Sequence, residues 1–366
     1  MRVTVVGSGP AGLAAAEVLA EAGVRVTIID HHASPARKFL LAGRGGLNLT
    51  HSEPLEKLLT RYGAARHKLE PAIRAFPPEA LRGWCHGLGI ETFVGTSGRV
   101  FPRCMKASPV LRAWLRKLDA LKVELRLGEE WQGLDEAPTV LALGGASWPE
   151  LGSTGTWRAR FEKSGIAVQP FRASNVRQPV TWNPGFAEKF AGTPIKNVSV
   201  TCDGVTARGE LMLASDGIEG GAIYALSAAL HGTRRISIDL KPDLAPEVVA
   251  ARLARPRGKE SRSNFYRKAF KLSPAAIALM REAGSDNPKQ VTLQFAGEPS
   301  LRRAISTAGG VAWNEIGDDF SLLRFPRTFV AGEMLDFDAP TGGYLIQAAI
   351  ATGRWAGQGL LKRLRG

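Results

Sequence analysis

Six residues near the start of the chain, Gly7-Ser8-Gly9-Pro10-Ala11-Gly12, have the GxGxxG spacing of a phosphate-binding turn. In such a turn one glycine permits the bend, the next lets the backbone approach a pyrophosphate, and the last lets a helix pack closely on a strand. Asp30 follows 18 residues later, and its carboxylate can accept hydrogen bonds from ribose hydroxyls. A dinucleotide site is therefore predicted at Gly7, Gly9, Pro10, Ala11, Gly12 and Asp30.

The elements expected around this turn support the prediction. Residues 2–6 are a β-branched run typical of a buried strand, and residues 11–22 are rich in Ala and Leu and indicate a helix. Residues 24–29 indicate a second strand, which Asp30 closes. This βαβ pattern predicts the opening of a parallel sheet, with the helix N-terminus directed at the phosphates.

A second glycine-bearing segment near the other end of the chain points to a flavin. It lies between a strand expected at 327–331 and a helix expected at 344–364. In flavoproteins an acid after a late strand holds the ribityl hydroxyls, and a helix N-terminus stabilises negative charge on the reduced ring. FAD is therefore favoured over NAD as the bound cofactor. The candidate residues are Gly332, Glu333, Asp336, Gly342, Gly343 and Tyr344, although the acids could instead cap the turn and Tyr344 could be core.

Three further groups could contact this cofactor. Gly144 and Gly145 follow a strand expected at 138–143, and they either approach the cofactor or form an ordinary turn. Arg37 and Lys38 either neutralise the pyrophosphate or form a solvated basic pair.

The glycine-rich loop 43–50 could border the flavin ring. Its candidate residues are Arg44, Gly45, Asn48, Leu49 and Thr50. Only Arg44, Asn48 and Tyr344 are weak candidates for catalysis, and no proton donor is identified.

Composition limits the remaining possibilities. The chain has 366 residues, 44% hydrophobic and 22% charged, as in ordinary globular proteins. Its three cysteines and six histidines show neither disulfide nor metal-ligand spacing, so no metal is predicted, and His31-His32 is interpreted as a solvated loop pair. No apolar run long enough for a membrane helix occurs, and we expect a cytoplasmic protein without a membrane partner.

The pattern along the chain predicts an α/β protein with a Rossmann-like FAD-binding domain. Residues 1–167 and 305–366 are expected to form this discontinuous domain. Residues 168–241 alternate short β-like runs with turns and predict an inserted β-rich domain. Residues 242–304 are expected to form a small helical subdomain.

The net charge of +14 has three explanations, namely a basic composition without a role, attraction of small anions, or a nucleic-acid partner. The stretch 255–271 is strongly basic. Nucleic acid is the least favoured of the three explanations.

Several sequence blocks resemble the BaiN-like, or aminoacetone-oxidase-like, family of NAD(P)/FAD-dependent oxidoreductases. They include GSGPAGLAAA at 7–16, ARKFLLAGRGGLNLTHSE at 36–53, LALGGASWPELGSTGTW at 141–157 and FVAGEMLDFDAPTGGYLIQAAIATG at 329–353. The resemblance implies an FAD domain of the two-dinucleotide type, capped by a barrel-like insert and a small helical domain. The loop 43–50 departs from the family pattern, because Gly46 and Leu47 replace an Arg and a Cys, so no chemistry of that thiol is expected.

These observations predict an FAD-dependent oxidoreductase that passes a hydride between a donor, NADH or NADPH, and a small organic substrate or oxygen. No second GxGxxG occurs, so a nicotinamide would dock only transiently. The resemblance allows reduction of an enone-like C=C bond or oxidation of an amine. Two alternatives stay open: a flavin-dependent enzyme that modifies nucleic acid such as tRNA, and a non-catalytic flavin-binding sensor.

Overall fold

The computed structural model describes residues 2–366, which form two compact units. The first unit comprises the chain up to Ala173 and Leu301–Gly366, and the second is Ser174–Ser300. The elements up to the end of the first segment are β1 (Arg2–Val6), α1 (Pro10–Glu21), β2 (Arg25–Asp30), α2 (Arg37–Ala42), β3 (Thr50–His51), α3 (Leu55–Thr60), α4 (Arg66–Ala75), α5 (Pro78–Gly87), β4 (Thr92–Val94), β5 (Arg99–Pro102), α6 (Ala107–Ala120), β6 (Glu124–Leu127), β7 (Thr139–Leu141), α7 (Trp157–Lys163) and β8 (Val168–Ser174).

The second unit contains a curled antiparallel sheet and several helices. Its elements are β9 (Gln178–Pro179), α8 (Phe186–Phe190), β10 (Pro194–Cys202), β11 (Val205–Ala214), β12 (Gly217–Glu219), α9 (Gly221–Tyr224), α10 (Ser227–Leu230), β13 (Arg235–Asp239), α11 (Pro246–Leu253), α12 (Arg262–Phe270), α13 (Pro274–Glu282) and β14 (Val291–Gln294). The sheet has the order β14-β13-β10-β11-β12-β9. Beyond β14, the amide of Ala296 donates to the carbonyl of Pro179 at 2.9 Å, so the two edges meet and the sheet is barrel-like, as predicted.

The last segment returns the chain to the first unit. Its elements are β15 (Ser306–Val311), β16 (Thr328–Val330) and α14 (Tyr344–Arg365). β16 joins a parallel five-stranded sheet of order β16-β7-β1-β2-β6, in which Val5 pairs with both Ile28 and Val140. The first and last segments therefore share one sheet, and the predicted Rossmann-like fold of this unit is confirmed.

Residue types explain why the sheet and its helices form. Val3, Val5 and Ile28 are fully buried, as expected for parallel strands covered on both faces. The helix α1 has small residues on nearly all its faces, and α14 packs closely along it. A Cβ on Gly353 of α14 would lie 2.1 Å from the carbonyl oxygen of Ala11, so this crossing requires glycine.

The unit boundaries at 174 and 301 differ from the expected ones at 168, 242 and 305. Residues 174–300 form one unit rather than a β-rich part and a separate helical part. The reason is a shared core, in which Phe270 and Leu279 of the helices pack with strand residues such as Val200 and Ile238. Within residues 2–366, no helix is long and apolar enough to cross a membrane.

Candidate cofactor site

A cavity of about 780 Å³ lies within the first unit, at the carboxyl ends of the parallel strands. Its wall includes residues that directly follow β1, β2, β7 and β16. Ligands of open α/β sheets bind at this edge, and the volume is in the usual range for cofactor pockets. Of the residues predicted from the sequence, the structure brings together Gly7, Gly9, Pro10, Ala11, Asp30, Arg37, Lys38, Asn48, Gly144, Gly332, Glu333, Gly342 and Gly343 on this wall.

The glycine turn has the geometry of a pyrophosphate cradle. A Cβ on Gly12 would lie 1.9 Å from the carbonyl oxygen of Gly7, so only glycine allows α1 to start this close to β1. A Cβ on Gly9 would meet nothing within 4 Å, and Gly9 lines the cavity. Space is therefore open in front of the helix N-terminus, where backbone N–H groups and the helix dipole attract phosphate.

The carboxylate of Asp30 is held by the glycine turn itself. The amide and hydroxyl of Ser8 donate to its Oδ2 at 2.9 and 2.5 Å, and the amide of His32 donates to its Oδ1 at 2.9 Å. A carboxylate offers about four acceptor positions, and these three bonds leave one of them, so a ribose hydroxyl can still be accepted.

His31 and His32 also line the cavity, although we expected a solvated pair. Their ring centroids are 4.1 Å apart, and Arg37 lies 2.8 Å from the Nδ1 of His32. Burial, followed by the neighbouring His31 and Arg37, lowers the pKa of His32, which favours the neutral form of its ring. The only sequence signal for this placement was that both histidines directly follow Asp30, the carboxylate predicted to bind a ribose.

Two tryptophans in loops complete this end of the cavity. Trp131 follows β6, and the guanidinium of Arg160 lies 5.6 Å from its ring centroid. Trp148 lies in the glycine loop after β7. Flat rings of this kind can stack on an adenine. Isolated aromatic residues in loops follow no period, so the sequence did not single them out.

Lys38 connects the two distant segments of the site. Its Nζ donates to Glu333 Oε2 at 2.7 Å and to Ser147 Oγ at 2.5 Å. The other oxygen of Glu333 accepts the amide of Thr307 at 2.9 Å. The basic residue after β2 and the acid after β16 therefore meet across 295 positions of sequence.

Two buried oxygens at this cavity have no hydrogen-bond partner in residues 2–366, Asn48 Oδ1 and Ser153 Oγ. The Nδ2 of Asn48 donates to the carbonyls of Thr50 and Val100 at 2.8 and 3.1 Å, which fixes its amide. Buried polar atoms without partners are rare in folded proteins. FAD carries complementary donors, the ring N3–H and the ribityl hydroxyls, so these residues fit FAD.

The helix α14 begins at the cavity with Gly343, whose φ is +92°. A Cβ there would lie 2.5 Å from the amide nitrogen of Thr50. Leu49 and Thr50 are buried behind this contact, and the hydroxyl of Thr50 donates to Gln347 Oε1 at 2.8 Å. These two residues therefore support the helix start rather than line the cavity.

Tyr344 also lies behind the wall. Its hydroxyl donates to Glu53 Oε1 at 2.6 Å, and its ring stacks on His51 with centroids 5.6 Å apart. Burial, assisted by Glu53, raises the pKa of Tyr344. Burial opposes ionisation of Glu53, but hydrogen bonds from Arg61 and Tyr344 outweigh it, so the pKa of Glu53 is lowered.

The other predicted residues outside the cavity wall are Gly12, Arg44, Gly45, Gly145 and Asp336. Gly145 packs beside the side chain of Thr307, and Arg44 is exposed. Asp336 is half-buried next to the ladder of β15, its carbonyl accepts the indole N–H of Trp313 at 2.7 Å, and burial raises its pKa. Across residues 2–366 no three His, Cys, Asp or Glu side chains are grouped as metal ligands.

Comparison with known proteins places this geometry among flavoenzymes. The family model described as HI0933-like protein Rossmann domain matches residues 1–359. The "Ribosomal RNA dihydrouridine synthase" of Escherichia coli K12 is 25% identical over 391 residues, covering 96% of each chain. The "3-dehydro-bile acid delta(4,6)-reductase" of Clostridium scindens is 23% identical over 420 residues, covering 99% of each chain.

The solved structures support the fold alone. A 3-ketosteroid-Δ4-(5α)-dehydrogenase from Rhodococcus jostii RHA1 aligns with a TM-score of 0.54 at 14% identity. The alignment covers 98% of this chain and 96% of the dehydrogenase.

Proposed function

Because the chain belongs to the HI0933-like Rossmann family of flavin-dependent oxidoreductases, we propose that it reduces a C=C bond conjugated to a carbonyl, using FAD and electrons from NADH or NADPH. The resemblance to BaiN-like flavoproteins is confirmed by this family match. The substrate, the nicotinamide and the individual cofactor contacts are the parts that we propose.

The observation that carries the proposal is the single cavity shared by the first and last segments. Gly9, Asp30 and Lys38 of the first segment and Glu333 and Gly343 of the last segment all line it. We propose that the first group binds the pyrophosphate and adenosine ribose, while Asn48 and the start of α14 bind the ring. A nucleotide held only by the GxGxxG turn would not need the second group.

Bound FAD would supply a hydride acceptor and donor, and the protein would supply orientation and charge. The N-terminus of α14 carries roughly half a positive charge, which stabilises negative charge that develops on a reduced ring. Asn48 has a fixed amide and an accepting oxygen, so we assign it to positioning the ring. None of the described cavity residues is assigned as the proton donor.

The reaction type is supported by the names of two relatives. One name denotes formation of dihydrouridine, and the other denotes a delta(4,6)-reductase. Dihydrouridine differs from uridine by two hydrogens across a C=C bond conjugated to a carbonyl. Hydrogen addition to such a bond is the chemistry that the two names have in common.

The test is an anaerobic titration of the purified holoprotein. We expect the absorbance bands of oxidised flavin, bleaching by NADH or NADPH, and reoxidation by a conjugated enone but not by its saturated analogue. Flavin that stays oxidised with both nicotinamides would favour a non-catalytic sensor. A colourless protein that FAD cannot reconstitute would contradict the whole proposal.

A second candidate keeps this chemistry and takes a uracil base in RNA as the substrate. It is favoured by the match to the ribosomal RNA dihydrouridine synthase over 96% of both chains and by the net charge of +14. The same reduced protein is mixed with RNA transcripts that contain uridine, and dihydrouridine is measured by mass spectrometry of the nucleosides. If small enones reoxidise the reduced flavin and no dihydrouridine forms in the RNA, only the first candidate function is supported.

A further inference from the structure

The second unit contains a groove of about 740 Å³ that the flavin site does not use. It is formed by the end of α11, the connection to α12, the first turns of α12 and the turn before β14. Three arginines, Arg255, Arg257 and Arg262, line it. All the residues that line it belong to this unit.

The positive charge of this unit is concentrated in a segment that contributes three arginines to the groove. The basic segment, residues 255–271, has seven Lys and Arg against one Glu, a net charge of +6. The remainder of residues 174–300 has ten basic and eleven acidic residues, a net charge of −1. The segment is therefore a local feature rather than a share of a uniformly basic surface.

Most of this charge is available for a partner. Within the described chain Arg262 pairs with Asp286, and Lys268 pairs with Glu260. Arg255, Arg257 and Lys259 are exposed, and no ion pair forms at any of them in residues 2–366. Like charges held this close together favour binding of a polyanion.

The wall of the groove also offers groups that contact bases. Phe265 is partly buried, with its ring centroid 5.6 Å from that of Tyr266, and the amide side chains of Asn287 and Gln290 lie in the same wall. Aromatic rings beside cations are typical of sites that bind single strands, because unpaired bases can stack. No residue of the wall is among the exposed large hydrophobic side chains of the described chain, which argues against membrane insertion.

We propose that this groove binds a single-stranded segment of RNA, with the arginines on phosphates and Phe265 stacked on a base. The inference goes beyond the proposed reaction, because it assigns a binding surface outside the flavin cavity. Binding is measured without turnover, so the groove and the reaction can fail separately.

The experiment is fluorescence anisotropy of the FAD-loaded full chain with a labelled oligouridylate. The triple variant R255Q/R257Q/K259Q should bind at least about tenfold more weakly near 0.1 M salt, and the slope of log affinity against log salt should fall by about 2. A matched control, K189Q/K196Q/R235Q, removes three exposed charges of the same unit outside the groove. The control should keep most of the affinity.

Phe265 provides a second, independent readout. Phe265→Leu keeps an apolar side chain against the core and removes the ring, so affinity should fall about tenfold with an unchanged salt slope. Phe265→Tyr keeps the ring and should bind like the wild type. Thermal unfolding of each variant checks that the unit is still folded.

Three outcomes would overturn the proposal. The first is equal loss of affinity in the groove triple and the control triple. The second is competition by polyglutamate as effective as that by RNA of equal charge, which would assign the groove to an acidic polypeptide. The third is sedimentation with phosphatidylserine vesicles in the absence of RNA binding, which would assign it to an anionic membrane.

Discussion

Ser153 shows how a single side chain can indicate a missing ligand. Its hydroxyl oxygen is buried at the cavity and bonds to nothing within residues 2–366, so the protein gains little from it alone. Ser153→Ala should therefore not lower the free energy of unfolding of the cofactor-free protein. If the hydroxyl bonds to FAD, the Kd for FAD should rise about 2- to 10-fold, as for loss of one hydrogen bond.

The measurement is FAD fluorescence quenching on the apoprotein, with Ser147→Ala as the control for a buried serine whose hydroxyl already has a partner in Lys38. An unchanged Kd in Ser153→Ala would remove Ser153 from the cofactor site.

The ion pair between Lys38 and Glu333 gives a second prediction at this scale. Lys38→Met removes a positive charge from the proposed pyrophosphate site and leaves Glu333 without its counter-ion, so the Kd for FAD should rise about tenfold or more. Adding Glu333→Gln to that variant should restore part of the affinity, because the unpaired carboxylate repels phosphate. Further weakening in the double variant would instead mean that the Glu333 carboxylate itself binds the ribityl chain.

Residues in fixed spacing could be predicted, whereas residues placed by tertiary packing could not. The glycines at 7–12 and Asp30 belong to a motif whose strand and helix are evident from sequence, and Lys38 was a candidate by its proximity to them. Trp131, Trp148 and Ser153 stand alone in loops, and only the folded chain brings them to the cavity wall. Tyr344 begins a helix whose direction is visible in sequence, but its side chain turns to Glu53 because that buried carboxylate needs donors.

The start of α14 depends on this buried carboxylate, and its stability should depend on pH. Glu53 accepts hydrogen bonds from Arg61 and Tyr344, and its pKa is lowered in the folded protein. A lowered pKa adds stability above the unfolded value of about 4.3, and this contribution is lost as the pH falls through the folded pKa. Glu53→Gln should therefore cost about 2 kcal/mol at pH 7 and progressively less below about pH 4.3.

Urea unfolding of both proteins at several pH values tests this. A difference between them that is the same at pH 7 and at pH 3.5 would contradict the assigned role of the charge.

The crossing of α1 and α14 gives a prediction on packing. In Gly353→Ala the new Cβ would meet the backbone of Ala11 at 2.1 Å, so the helices must separate, and the free energy of unfolding should fall by about 1–3 kcal/mol. Gly83 lies inside α5 with nothing within 4 Å, so Gly83→Ala should stabilise by roughly 0.5–1 kcal/mol. Denaturant unfolding measures the change in the free energy of unfolding for both variants. Changes of the same sign would contradict the assigned contact between Gly353 and Ala11.

Helices and strands could be predicted from the sequence when they were long enough to show a helical period or an apolar run. The helices α1 and α14 were expected nearly at their observed bounds, because each is long enough to show a helical pattern. The helix α2 spans six residues, which are too few to show a helical period in the sequence. β6 has the sequence ELRL and lies at the sheet edge with exposed side chains, so it lacks the apolar run that predicted the other strands.

At the scale of the whole molecule, each unit has its own hydrophobic core, and the cofactor cavity lies in the first. Calorimetry should therefore show FAD raising the unfolding temperature of one transition only. At a concentration of about 100 Kd the stabilisation is about 2.7 kcal/mol, or roughly 5–10 °C for a unit of this size. The isolated transition of residues 174–300 should be unaffected, and a shift of both transitions by the same amount would contradict this assignment.

The discontinuous architecture was visible in the sequence because the two nucleotide-binding patterns lie far apart in it. The sequence did not show that the β-rich and helical parts join into one unit. Phe270, Leu279 and Ile238 share a core that no local pattern reveals. The barrel closure through Ala296 and Pro179 is likewise a contact between distant positions.

The strand β16 and the helix α14 supply one wall of the cavity, and they are the last elements in chain order. During synthesis, residues 174–300 therefore emerge from the ribosome before β16, which is the outermost strand in the sheet of the first unit. These residues have a hydrophobic core of their own. The sheet of the first unit therefore stays incomplete until Thr328–Arg365 has been synthesised, so flavin uptake should follow the synthesis of this segment.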